Sequence, residues 1–204
     1  MRKPLKSREL AYLENYGAAE LDSETRGAIK DRKIVLEDEP LYVRTKIVGG
    51  GEIDLLTAAL DESVGITNID KRTLPKFVNF IIDAVQFGYG SSAVANNSVA
   101  VDVSYSSLIS ACPIQLLHAN LVIKQNDTPI LTLPIKQLLK QAANTDEFEG
   151  QNGYQLTYPR LLKQNVPMQF SIKFPIDKVL EAVVNHHFVE LHLKGTRTKL
   201  RGAR

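Results

Sequence analysis

The chain has one cysteine, Cys112, and no tryptophan among its 204 residues. A lone cysteine excludes an internal disulfide framework. Only four histidines are present, too few and too scattered for a multi-site metalloprotein. No apolar run approaches the roughly 18 residues that a membrane-crossing helix needs. None follows Met1-Arg2-Lys3-Pro4-Leu5-Lys6 either, so a secretory signal is not expected. Gly-x-Ser-x-Gly stands nowhere, which removes the common hydrolase elbow. The missing tryptophan and the few aromatics in strand-like segments argue against a sugar-stacking lectin or an oligonucleotide-binding sheet.

What is present is ordinary in amount and uneven in distribution. Apolar residues make up 44% and charged residues 24%, the proportions of a globular domain. A mass of 22.7 kDa suits one domain with a real core. The formal net charge is +2, but it is split three ways. Residues 1–8 hold Arg2, Lys3, Lys6 and Arg8 and no acid, hence +4. Residues 194–204 hold Lys194, Arg197, Lys199, Arg201 and Arg204 and no acid, hence +5. That leaves 16 basic and 23 acidic side chains, a net −7, for residues 9–193. Basic ends on an acidic body attract phosphate backbones, anionic lipid or acidic partner surfaces. These nine side chains are the candidate contacts to nucleic acid, membrane or a neighbouring subunit.

Residues 1–33 are rich in charge and helix formers. Leu10, Leu13 and Tyr16 recur at helical spacing, Gly17 can stop a first helix, and Leu21-Asp22-Ser23-Glu24 can cap a second. The apolar stripe is too thin for a core of its own. This segment is expected to be an arm lying on its own body, a neighbouring copy or a partner.

From Ile34 on the pattern turns to strands, and a single β-domain over 34–204 with a basic C-terminal tail is expected. Leu41, Val43, Thr45 and Ile47 alternate with Tyr42, Arg44 and Lys46, the period of a half-buried strand. Gly49-Gly50-Gly51 breaks the chain, and Ile53, Leu56 and Leu60 suggest a short helix. Phe77 to Tyr89 is apolar on both parities, as in a strand buried on both faces, with a bulge near Asp83. Val99, Val101, Val103 and Tyr105 alternate like another strand. Leu121–Lys124 and Ile130–Leu133 flank Asn126-Asp127-Thr128-Pro129, a hairpin signature. Pro134 suits the start of a helix over 135–143. Short strands are expected at 154–158, 170–174 and 188–194, and a helix over 176–184. Seven or eight strands without regularly interleaved helices predict a mainly β, antiparallel sandwich or jelly roll.

Chemistry-bearing residues are few. Gly49-Gly50-Gly51 lacks the Lys-Ser/Thr of a phosphate loop, and Glu52 and Asp54 would repel phosphate. His186, His187 and His192 form the one histidine cluster, without an acid at ligand spacing. Cys112 sits among Ile109, Ala111 and Ile114 with no base in view, as a structural thiol does. Glu37-Asp38-Glu39 and Asp146-Glu147-Phe148-Glu149 lack the oxygen spacing of a calcium loop. No catalytic residue, metal or cofactor is expected.

Several stretches together resemble a coat protein. They are the hairpin at Leu121–Leu133 with the short helix expected at Ile135–Lys140, and the alternating Gln169-Phe170-Ser171-Ile172-Lys173-Phe174-Pro175. The closing Phe188-Val189-Glu190-Leu191-His192-Leu193 with its basic end adds to them. So does Gly65-Ile66-Thr67-Asn68-Ile69-Asp70 ahead of Phe77–Tyr89. The chain, from about residue 60 on, resembles the jelly-roll coat proteins of tailless icosahedral bacterial viruses. The resemblance implies one β-sandwich whose copies pack side by side in a shell, with terminal arms reaching neighbours or inward. It implies a virion location and partners that are copies of itself, other virion proteins, and genome or internal membrane. No small-molecule substrate is implied.

The expectation is a homo-oligomeric capsid subunit without catalytic activity. The alternative is a ligand-binding or attachment module recognising a glycan or protein through loops 90–98 and 144–153. An enzyme on the same fold would need a metal or acid pair that the sequence does not assemble. A DNA-binding accessory protein would rest on Arg201 and Arg204, with binding that falls steeply with salt.

Overall fold

The computed structural model describes residues 21–31, 33–56, 61–141, 153–181 and 185–200, with Leu200 described for its backbone only. Eleven strands run through them: β1 (Ile34–Asp38), β2 (Leu41–Ile47), β3 (Gly49–Gly50), β4 (Glu52–Asp54), β5 (Phe80–Ser92), β6 (Asn120–Gln125), β7 (Thr128–Pro134), β8 (Tyr154–Leu162), β9 (Met168–Lys173), β10 (Val179–Leu180) and β11 (His186–Leu200). Two α-helices accompany them, α1 (Ser23–Lys30) and α2 (Ile114–Leu117).

The pairings are nested. β6 pairs with β7, β5 with β8, β4 with β9, β3 with β10, and both β2 and β1 with β11, every pair antiparallel. The chain is therefore one long ribbon folded on the β6–β7 hairpin. Two further antiparallel pairings, β11 with β5 and β6 with β9, roll that ribbon up. They produce one sheet in the order β2-β11-β5-β8, with β1 extending the ladder along β11, and a second in the order β4-β9-β6-β7. This strand order is the jelly roll, two sheets built from Greek keys. The predicted fold class is observed.

Both sheets bury one face in the same cluster. Leu41, Val43, Phe87, Val189 and Leu191 come from the first sheet, and Leu121, Ile123, Phe170 and Ile172 from the second. Each fully buried Leu, Ile or Phe contributes about 1.5–3 kcal/mol of transfer free energy. The bulge near Asp83 keeps β5 in this arrangement. Its register against β8 shifts between Ile82 and Ala84. Phe80 and Ile82 point into the core before it, Val85, Phe87 and Tyr89 after it. An unbulged strand would send one of those sets to the other face. The hairpin turn is Asn126-Asp127, with φ of 46° and 60°, as a two-residue turn matched to strand twist requires.

The outer face of the first sheet is covered by the chain itself. α1 is capped by Asp22, whose carboxylate accepts from Thr25 N at 2.8 Å. The helix seats Leu21 against Ile81 and Leu161, with Ile29 and Leu36 beside them. This described part of the expected arm lies on its own body; residues 1–20 are outside the described residues. At the other end of the face, bare Gly88 and Gly90 let the 103–105 backbone rest on β5. A Cβ on Gly90 would sit 2.7 Å from Ser104 O. The free edge of β2 is also closed. Arg44 N bonds Ile66 O, Tyr42 N bonds the Asn68 side chain, and Lys46 N bonds Asn97 Oδ1. Covering an edge in this way removes a template for unwanted pairing.

Four local expectations are corrected. The first part of the helix expected over 52–60 is strand β4, because Ile53 pairs with Ile172, and Leu56 N turns back to the Asp54 carboxylate; residues 57–60 are outside the described residues. The strand at 99–105 is a 3-10 turn, Asn97–Val101, because Asn96 caps it through Ser98 N and outcompetes a ladder. The helix over 135–143 stops after Ile135–Leu138, since Leu139 is extended and Lys140 bonds Ser107 O; residues 142–143 are outside the described residues. The helix over 176–184 is broken at Asp177, with φ of 60°, and passes into β10; residues 182–184 are outside the described residues.

Candidate functional site

β11 carries the basic run at the C-terminal end, and it is strand up to Leu200 rather than tail. Its pairing with β1 places Glu37 opposite Arg197 and Asp38 opposite Thr196. On that ladder Arg197 reaches Glu39 at 2.7 Å and Lys199 reaches Glu37 at 3.5 Å. Two of the expected contact cations are therefore paired with the Glu37-Asp38-Glu39 cluster. Partly exposed pairs of this kind are worth at most about 1 kcal/mol each. The ammonium of Lys194 is held below the usual lysine range, first by burial and then by the nearby charge of Lys140. Arg2, Lys3, Lys6, Arg8, Arg201 and Arg204 lie outside the described residues. The described part thus brings together only Lys194, Arg197 and Lys199 of the nine.

The densest polar constellation is one that sequence reasoning passed over. Arg44 of β2 and Glu190 of β11 face outward on neighbouring strands, directly opposite in register. Arg44 Nε donates to Glu190 Oε1 at 2.6 Å, and Arg44 Nη1 donates to Gly65 O at 2.9 Å. The guanidinium lies over the Tyr105 ring, 5.6 Å from its centre. His192 Nε2 is 3.2 Å from the same carboxylate oxygen, and its ring stands 5.6 Å from that of Tyr42. Tyr42 Oη in turn accepts from Gly65 N, and Tyr105 Oη donates to Ala100 O. Burial opposes ionisation of Glu190, but hydrogen bonds and charge from His192 and Arg44 outweigh it and keep the carboxyl below its usual range. Burial pushes the Tyr105 phenol well above its ordinary value. The group joins two strands to the 61–67 and 97–106 segments, so its chemistry is that of a clamp. The signal was in the sequence: Arg44, Glu190 and His192 all fall on the polar parity of alternating strands.

The other candidates are placed as follows. His187 Nε2 is 3.0 Å from Glu181 O, so it carries the proton and donates there. Its Nδ1 is hydrogen-bonded to Tyr89 Oη at 2.7 Å. Both ring nitrogens are engaged. Among the described residues no group of three or more His, Cys, Asp or Glu side chains is placed to hold a metal. Cys112 is buried in the core, and that burial pushes its thiol up to about 12. Gly49 and Gly51 take positive φ in a turn around β3 that leads into strand, so the glycines do not open a helix N-terminus.

On the outer face of the second sheet, Glu52 accepts from Lys124 at 2.5 Å and from Ser171 at 2.7 Å. The hydrogen bond from Lys124 is the main reason its carboxyl lies below the usual range. This net spans β4, β9 and β6 and closes the middle of the sheet with polar groups. Of the loops expected to bind a ligand, 90–98 leaves the end of β5, while 144–152 lies outside the described residues.

Among the described residues no helix is long and apolar enough to cross a membrane. Comparison with family models, curated proteins and solved structures finds no match to this chain.

Proposed function

We propose that this chain is a structural subunit of a homo-oligomeric shell, a virion coat protein without catalytic chemistry of its own. The observation that carries the proposal is the complete nesting of the strand pairs into the β2-β11-β5-β8 and β4-β9-β6-β7 sheets. That strand order is one that shell subunits use, and it also serves lectins and cupins. The distribution of polar groups favours the shell among these. The most buried ionised constellation, Arg44 with Glu190, is used to hold loops to a sheet. The inner faces of both sheets meet in one apolar cluster instead of opening around a ligand.

The partners on this reading are further copies of the chain. The basic groups of the N-terminal segment and of the extreme C-terminus would meet genome, internal membrane or acidic neighbours. Multi-angle light scattering on the purified protein over a range of concentration and salt is the test. Discrete high-mass assemblies support the proposal. A monomer at every concentration and salt overturns it.

A further inference from the structure

The exposed apolar side chains are not scattered. Eight large ones are exposed among the described residues, and five of them, Val48, Val94, Ile114, Ile176 and Val179, lie in the loops and short elements at one end of the sandwich. The register fixes this. His187, at the start of β11, stands opposite Ile47, the end of β2, and opposite Ser91, near the end of β5. Val48 and Val94 therefore leave the sheet together. Gly49 and Gly50 pair with Leu180 and Val179, which brings β10 to the same end. Pro113 and Gln115, on either side of Ile114, line a depression of about 530 Å³ together with Asp177–Glu181 and His187. Ile176, 89% exposed, immediately precedes Asp177 of that lining in the chain.

A protruding aliphatic group next to a hollow is a pairing that a two-fold axis makes reciprocal, because each copy offers both parts. The charge at the rim fits the same operation. Asp177, Lys178 and Glu181 are all exposed and carry both signs within five residues. A patch with both signs can face itself, whereas a single-sign patch repels its copy. We infer that this end of the sandwich docks against the same end of a second copy, with Ile176 of each copy entering the depression of the other. The inference deepens the shell reading and rests on it, since it names the surface through which copies meet.

Strands about 4.8 Å apart and sheets about 10 Å apart make such an end roughly 20 Å across. An end of that width offers about 400 Å² on each copy, about 800 Å² in all, below the size of stable interfaces, so the contact alone gives a weak, concentration-dependent association.

The test is sedimentation velocity from about 1 to 100 μM on the wild-type chain, Ile176→Glu, Val179→Glu and, as a control, Val64→Glu. Val64 is 94% exposed and lies on the 61–67 segment. All three positions are exposed, and circular dichroism melts verify that each variant is folded. The expected result is association of the wild type and of Val64→Glu with a common midpoint, and a midpoint at least about tenfold higher for the other two. Wild-type-like association of Ile176→Glu and Val179→Glu overturns the docking surface and leaves the shell reading intact. Equal weakening by Val64→Glu also overturns it. A monomeric wild type overturns both readings.

Discussion

Gly195 is the position where a single methyl group asks most of this fold. It lies in β11 at the shift in register against β5, between Lys194 and Gly195. A Cβ there would stand 1.8 Å from Ile81 O, 2.9 Å from Ile81 C and 3.2 Å from Asp83 N. Every one of these atoms is backbone, so no side chain can swing aside. Ordinary contact begins near 3.4 Å, and the strands must separate by more than 1 Å where sheet spacing is about 4.8 Å. Two to four ladder hydrogen bonds around the bulge lengthen or break, at about 1 kcal/mol each. Gly195→Ala should therefore cost about 2–4 kcal/mol. For a domain of this size that lowers Tm by about 4–16 °C. Gly27→Ala supplies the opposite sign. Gly27 is in the middle of α1 with nothing within 4 Å of its would-be Cβ. That substitution should leave Tm unchanged or raise it by about 1–4 °C, from about 0.5–1 kcal/mol of helix propensity. Thermal unfolding followed by circular dichroism reads both. A Gly195→Ala protein melting within about 2 °C of the wild type would refute the pairing of Gly195–Leu200 with β5 and β1, and with it the assignment of the basic run to strand.

Other substitutions test other parts. Arg44→Met leaves the Glu190 carboxylate, 15% exposed, without its main cation, and should cost about 2–4 kcal/mol in chemical denaturation at neutral pH. Because Glu190 is held below the usual carboxylate range, its contribution is complete above that range and is lost as pH falls through its folded value. Arg44→Met raises the folded value of Glu190 toward the unfolded one and should shrink that acid loss; an unchanged acid limb contradicts the clamp. Asp127, with φ of 60°, occupies a turn position that glycine takes at no steric cost, so Asp127→Gly should raise stability by about 0.5–1 kcal/mol. A loss there would mean a different turn. Cys112, buried and with its thiol near 12, should resist a thiol-disulfide reagent at pH 8 in the native state and react completely in guanidinium. Rapid native labelling would place it at the surface.

What could be read from the sequence was what a few neighbouring residues decide. Leu41–Ile47 alternates because one face is buried. Asn126-Asp127 sets the hairpin because both residues tolerate positive φ. The two-parity run ending at Tyr89 is buried on both faces because α1 and the 103–105 segment cover its outer side. The second half of β11 was hidden by its charge. Lys194-Gly195-Thr196-Arg197-Thr198-Lys199 looks solvated, yet Thr196 and Thr198 are buried on one parity. Their hydroxyls reach Asp38 and the backbone at Phe77. Arg197 and Lys199 take the other parity and face the acids of β1. The Val99–Tyr105 alternation misled because a capping asparagine three residues ahead decides that backbone. The strand order itself depends on pairs such as Arg44 with Glu190, 146 residues apart, which no local pattern specifies. The clamp and the apolar end are products of that order, so neither could be assembled beforehand.

On the proposed reading the sandwich packs against copies of itself, and electron microscopy of the purified chain at high concentration is the decisive test. Closed or regularly repeating assemblies are expected, with the end bearing Ile114, Ile176 and Val179 turned toward a neighbouring copy. Fields of single particles of about 22.7 kDa at every concentration and salt would contradict it.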